Sequence, residues 1–93
     1  MSLNRESAIE RAKKDLARRL NIAESDIETA SVSDEDFPNS SLGAPVEDEM
    51  AAQMISSGWK IKLKAGGENY EYRADKYQLR LCGFQGTNHI IES

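Results

Sequence analysis

Histidine, cysteine and proline are nearly absent from this chain, which holds one His, one Cys and two Pro in 93 residues. A single thiol, Cys82, forms no internal disulfide, so folding makes no demand for an oxidising compartment. A single imidazole, His89, with no His or Cys at ligand spacing, argues against a metal centre, which needs three or four converging donors. Long apolar runs are missing too. Nothing approaches the roughly 18 apolar residues of a helical membrane span, and the opening MSLNRESAIERAKKDL lacks the apolar stretch of a secretory leader. These absences predict a cytoplasmic protein with no membrane association and no cofactor.

Charge of one sign is also missing locally. The segment Glu24 to Met50 carries nine acidic residues and no Lys or Arg, while residues 5–19 and 60–80 each carry six basic residues against three acidic ones. The net charge of -4 therefore conceals a block pattern. A nucleic-acid binder gathers its basic groups on one face. Here they are divided between two segments with an acidic one to cover them, so no nucleic-acid partner is expected.

Catalytic chemistry is equally hard to find. Cys82 lacks a base and an orienting group near it in sequence, and reads as a small apolar side chain at a strand end. Asp34, Glu35 and Asp36, and again Glu47, Asp48 and Glu49, are adjacent acids without the D-x-D-x-D-G spacing of a calcium loop. Gly66-Gly67 is not followed by a helix, so it does not cradle phosphate. The expectation is a protein that is not an enzyme.

What is present is an architecture, and 93 residues suffice for one domain. Ile9, Ala12, Leu16 and Leu20 recur at the spacing of an amphipathic helix over residues 5–20, with Arg11, Lys14, Asp15 and Arg18 on the outer face. Ser2 or Asn4 can cap its start, and Asn21 suits a left-handed stop. Trp59, Ile61, Leu63 and Ala65 alternate with Lys60, Lys62 and Lys64, which gives a strand one apolar face and one row of lysines. Gly66-Gly67 reverses the chain into a second strand bearing Tyr70, Tyr72 and Ala74 on the same apolar face. Leu79 and Leu81 continue the meander. Glu68, Glu71 and Arg73 fall opposite, on a face expected to be wet.

The predicted fold class is α+β, with the N-terminal helix packed on a four-stranded, mainly antiparallel β-meander. Strands are predicted at 27–32, 52–65, 68–74 and 77–82. The predicted core is Ile9, Ala12, Leu16, Leu20, Ile27, Trp59, Ile61, Leu63, Tyr70, Tyr72, Leu79 and Leu81. Residues 33–50 read as a loop that Phe37, Leu42 and Val46 pin to the core. Residues 51–57 fit either a helical turn or the start of a bent strand. Residues 83–93 read as a flexible tail, unless Phe84, Ile90 and Ile91 add an edge strand or meet a second subunit. A monomer or a weak homodimer is expected.

Two resemblances bear on this reading. The order helix, strand, then a meander ending in Tyr70-x-Tyr72-x-Ala74-Asp75 resembles PepSY-type domains, in which a helix packs on a small antiparallel sheet. Ser41-Leu42-Gly43-Ala44-Pro45, then Gln53 to Leu63, then Gly66-Gly67-Glu68-Asn69-Tyr70-Glu71-Tyr72-Arg73 resemble a family of small bacterial proteins, many of them exported. Those proteins carry S-L-G-C-P, Q-V-I-x-x-G-[YW]-x-I-x-L and G-G-x-x-Y-E-Y-H at the corresponding places. The resemblance implies a strand over 52–57 and informs fold rather than activity. It also implies a lost staple, since Ala44 stands at the loop cysteine and Cys82 where a second cysteine tends to occur.

Two functions are expected from these features. One is a protein-interaction or regulatory module that presents Asp34, Glu35, Asp36, Phe37, Ser41, Leu42, Gly43, Glu47, Asp48 and Glu49 to an unknown protein partner. The other is a peptidase inhibitor acting through Ser41-Leu42-Gly43.

Overall fold

The computed structural model describes residues 2–93. Helix α1 spans Arg5–Leu20, and both of its ends are closed by side chains or backbone. Asn4 Oδ1 accepts the Ser7 N–H at 2.8 Å while Ser7 Oγ accepts the Asn4 N–H at 2.8 Å, a reciprocal box that satisfies two donors of the first turn. Asn21 takes the left-handed conformation at φ 55, and Ile22 N–H reaches back to the Ala17 carbonyl at 3.0 Å, which ends the helix cleanly.

Five strands follow, and they pair in sequence order as one antiparallel sheet: β1 Glu28–Phe37, β2 Ser56–Ala65, β3 Glu68–Ala74, β4 Leu79–Phe84 and β5 Thr87–Glu92. The α+β class therefore stands, with five strands in place of the expected four. The extra strand is β5, in the segment expected as a flexible tail. Gln85 and Gly86 both take positive φ, 54 and 81, between the paired Phe84 and Thr87, the two-residue turn that matches strand twist. Ile91 then packs against the core, while Ile90 is 41% exposed.

The helix-side face of the sheet holds Ile61, Leu63, Tyr72, Leu79 and Leu81, and Leu16 of α1 packs among them, all fully buried. Each such side chain contributes roughly 1.5 to 3 kcal/mol by leaving water. Ala8, Ala12 and Ala17 form the seam of α1 that meets them. Small side chains let the helix approach closely, so Ile9 and Leu20 lie at its flanks and are only half-buried, as are Trp59 and Tyr70. Asp15, expected outside, is 4% exposed. It accepts the Tyr72 hydroxyl at 2.8 Å and is flanked by Arg19 Nε at 2.8 Å and Arg18 Nη2 at 3.1 Å. A phenol that deep needs an acceptor, and the helix turn before Arg19 supplies one.

Strand β1 runs five residues beyond its expected end, taking in Ser33, Asp34, Glu35, Asp36 and Phe37, while β2 begins at Ser56 and not at 52. Residues 52–55 are irregular, with Met54 N–H bonded to the Ala52 carbonyl at 2.9 Å. Gly58 sits where a Cβ would come within 2.0 Å of the Ala74 carbonyl oxygen, so the β2–β3 pairing closes only over a glycine.

Candidate docking surface

Residues 38–55, called the strap below, cross the face of the sheet opposite the helix. Their anchors are arginines. Arg73 stacks over the Phe37 ring at 5.8 Å, donates to the Leu42 carbonyl at 2.9 Å through Nη1, and pairs with Glu71 at 2.7 Å. Arg80 is 3% exposed and donates to the Ala44 carbonyl at 3.0 Å, to Gln78 Oε1 at 2.7 Å, and to Glu49 through both Nη1 at 2.5 Å and Nη2. This two-pronged pairing holds the Glu49 carboxyl below its ordinary range, the hydrogen bonds from Arg80 being the main cause.

The strap is also tied to itself and to the turn after β3. Asn39 Oδ1 accepts from Ser41 N at 3.0 Å, Ser41 Oγ at 2.5 Å and Gly43 N at 3.3 Å. Gln78 Nε2 donates to the Ser40 carbonyl at 2.6 Å, and Ser40 Oγ accepts the Ala52 N–H at 2.7 Å. Asn88 Nδ2 donates to the Pro45 carbonyl at 2.9 Å, which brings β5 into the same network. The face expected to be wet is thus covered over β3 and β4, while Lys62 and Lys64 on β2 remain exposed.

This geometry divides the residues singled out in the sequence. Phe37, at the end of β1, and Ser41 and Leu42, on the strap, are buried, Leu42 completely, in a left-handed conformation at φ 59. Gly43 is exposed, but a Cβ there would meet Arg73 Nη1 at 2.7 Å. Glu49 is committed to Arg80, and Glu47 and Asp48 lie exposed on the strap. Asp34, Glu35 and Asp36 lie apart from the strap residues, at the end of β1. With Ser57, Gly58, Trp59 and Lys76 they line a cleft of about 370 Å³.

A second hollow of about 420 Å³ adjoins the first, sharing Ser57 and Lys76 and adding Met54, Ile55 and Tyr77. These three are 59%, 72% and 73% exposed, and Met50 nearby in sequence is 97% exposed. A sheet end that offers large apolar side chains beside an acidic cleft is suited to docking another molecule. Sequence reasoning missed Met54, Ile55 and Tyr77 as surface groups because an apolar residue carries no mark of the side it faces. Arg73 and Arg80 did carry a signal: they are the arginines of the lysine face, and a planar five-donor head suits carbonyl and carboxylate capture better than lysine does.

Cys82 and His89 lie on opposite faces. Cys82 pairs across from Glu71 on the strap side, whereas His89 pairs across from Leu81 on the helix side and meets the Phe84 ring edge-on at 6.0 Å. Burial pushes the Cys82 thiol above its ordinary range. Among the described residues no group of three or more His, Cys, Asp or Glu is placed to hold a metal ion, and no helix is long and apolar enough to cross a membrane.

No curated protein and no solved structure matches the chain. One family profile does, over residues 9–82, which takes in most of the helix, β1 to β3, the strap, most of β4 and both hollows. The chain belongs to that family, a domain of unknown function, DUF8738.

Proposed function

We propose that this protein is a non-enzymatic interaction module whose docking surface is the end of the sheet where the last residues of the strap enter β2, together with the close of β1 and the β3–β4 turn. One observation carries the reading: Met54, Ile55 and Tyr77 stand largely exposed around a single hollow, on backbone fixed by the Ser40–Ala52 and Gln78–Ser40 hydrogen bonds. Large apolar groups exposed together around one hollow favour a protein partner. The separation of Cys82 from His89 across the sheet supports the non-enzymatic part, since a thiol needs a base within reach to act as a nucleophile.

The acidic loop enters this reading in a changed form. Of the ten residues expected to meet a partner, Asp34, Glu35 and Asp36 border the surface, and the rest are buried, committed to anchors or placed on the strap. A peptidase-inhibitor role has no comparable support. Ser41 and Leu42 are buried and the Leu42 carbonyl is held by Arg73, so this segment enters a protease cleft only by leaving the sheet.

Affinity capture with the wild type and with an Ile55→Lys, Tyr77→Glu variant tests the proposal. The variant should keep its melting temperature within a few degrees, because both side chains are exposed, and should lose the captured partner. An identical partner set on both baits sinks the reading.

A further inference from the structure

The cleft beside Trp59 has its own chemistry, and it arises because β1 and β2 outrun the helix. Arg5, the first residue of α1, reaches the Val32 carbonyl at 3.4 Å, so the helix begins level with the middle of β1. Beyond that point Asp34 and Asp36 lie on the helix-side face with nothing packed over them and are exposed, and Trp59, opposite Asp34, is half-buried. Ser57 Oγ donates to Asp36 Oδ1 at 2.8 Å and fixes that carboxylate, while the Asp34 carboxylate accepts no hydrogen bond among the described residues. Against Asp34, Glu35 and Asp36 the cleft wall sets one ammonium, that of Lys76.

Strand β1 is also an edge, with β2 as its only neighbour in the sheet among the described residues. An edge offers its outward N–H and C=O groups to another extended chain. A second copy of β1 would bring Glu28, Asp34, Glu35 and Asp36 against the same set. No Lys or Arg occurs anywhere between Arg19 and Lys60 to relieve that repulsion. A basic strand meets the opposite situation.

From this we infer that the uncovered end of β1 takes an extended, lysine-bearing segment of a partner protein. The segment is added along Ser33–Phe37, with one lysine ammonium set between Asp34 and Asp36 and its stem lying on the Trp59 ring. Carboxylates attract the ammonium, the indole face attracts it further, and the strand edge aligns the segment. The inference rests on the docking reading above and names the chemistry of the partner.

The test uses the full chain and the peptide acetyl-Lys-Val-Lys-Val-Lys-amide, followed by amide chemical shifts and by the emission of Trp59, the sole tryptophan. The expected result is shifts confined to the amides of residues 33–37 and 57–59, with a change in indole emission. Acetylating the lysines should abolish both. Asp34→Asn with Asp36→Asn should weaken binding about fivefold or more, as two rim charges predict, while Glu47→Gln with Asp48→Asn leaves it unchanged. Three results overturn the inference: no shift at millimolar peptide, a response equal in the two double variants, or spermidine binding as tightly as the peptide, which would make the cleft a site for small free cations. If a captured partner depends on Ile55 and Tyr77 while the lysine peptide fails, the docking reading survives with an occupant of different charge.

Discussion

Arg80 and Glu49 show how much one ion pair can decide in a chain of this size. Arg80 is almost wholly enclosed, so removing its partner strands a guanidinium away from water, at a cost of about 1 to 3 kcal/mol for a carboxylate that keeps some exposure. Glu49→Gln should lower unfolding free energy by an amount in that range, measurable by urea titration. The pH dependence has a definite sign. The Glu49 pKa is lower in the folded state than its value near 4.5 when unfolded, so its contribution is fully present above about pH 4.5 and is lost as pH falls through the folded value. The difference between wild type and Glu49→Gln should therefore shrink between neutral pH and pH 3; a constant difference would mean the pair contributes nothing through charge. Asp15 makes the complementary case. Its burial was illegible because it is one position from Leu16 on the helix, and helical phase places it on the boundary between faces; only the buried Tyr72 hydroxyl decides which way it turns. Burial and the Asp15 hydrogen bond together raise the Tyr72 pKa. Tyr72→Phe should cost about 1 kcal/mol, since Asp15 keeps Arg18 and Arg19, whereas Asp15→Ala should cost about 2 to 3 kcal/mol by leaving a buried phenol unsatisfied.

At the scale of elements, α1, β2 and β3 were legible because a single period governs each and a cap or a Gly-Gly turn closes it. The alternation of Trp59, Ile61 and Leu63 with lysines is the pattern that pairs with Tyr70 and Tyr72 in the observed register. Strand β1 extends five residues past its expected end: the acidic residues of its second half, favoured on an edge strand as precautions against further pairing, resemble a loop in composition. The β4–β5 hairpin was left open for a related reason: Gln-Gly is a weak turn signal, although Gln85 adopts the same left-handed geometry that Asn prefers. Gln85→Asn should therefore stabilise the protein by a few tenths to about 1 kcal/mol, read as a rise in melting temperature. A fall would show that the turn does not set the stability of β5. Gly58→Ala tests the opposite limit, since the Ala74 carbonyl leaves no room for a Cβ and backbone cannot swing aside as a side chain can. It should disrupt the β2–β3 ladder and cost more than about 3 kcal/mol, with loss of the dispersed amide spectrum as the readout.

Across the whole molecule the sheet is covered twice, by different means. The helix side is closed by a continuous apolar core that includes Leu16, Ile61, Tyr72 and Leu81, whereas Phe37, Leu42 and Ala44 lie outside that cluster, under a strap held largely by hydrogen bonds. Such a strap could not be read from the sequence, because its fastening depends on Arg73 and Arg80, which lie 31 residues beyond the Leu42 carbonyl and Glu49 that they hold. Its apolar anchors are few. Free energy of local opening follows buried apolar contact, so the strap should open without the rest of the fold. Hydrogen exchange should find the amides of Leu42, Ala44 and Ala52 exchanging through a smaller opening free energy than those of Ile61 and Tyr72. Leu42→Ala sharpens the comparison. It removes a fully buried side chain, a change that costs about 2 to 5 kcal/mol where the site cannot collapse. That loss should abolish protection in the strap and leave Ile61 and Tyr72 protected, exposing the Arg73 and Arg80 face while the helix-side core persists. Equal loss of protection on both faces would instead mean that strap and helix form one cooperative unit, joined through the sheet by side chains of β3 and β4 that point alternately to each.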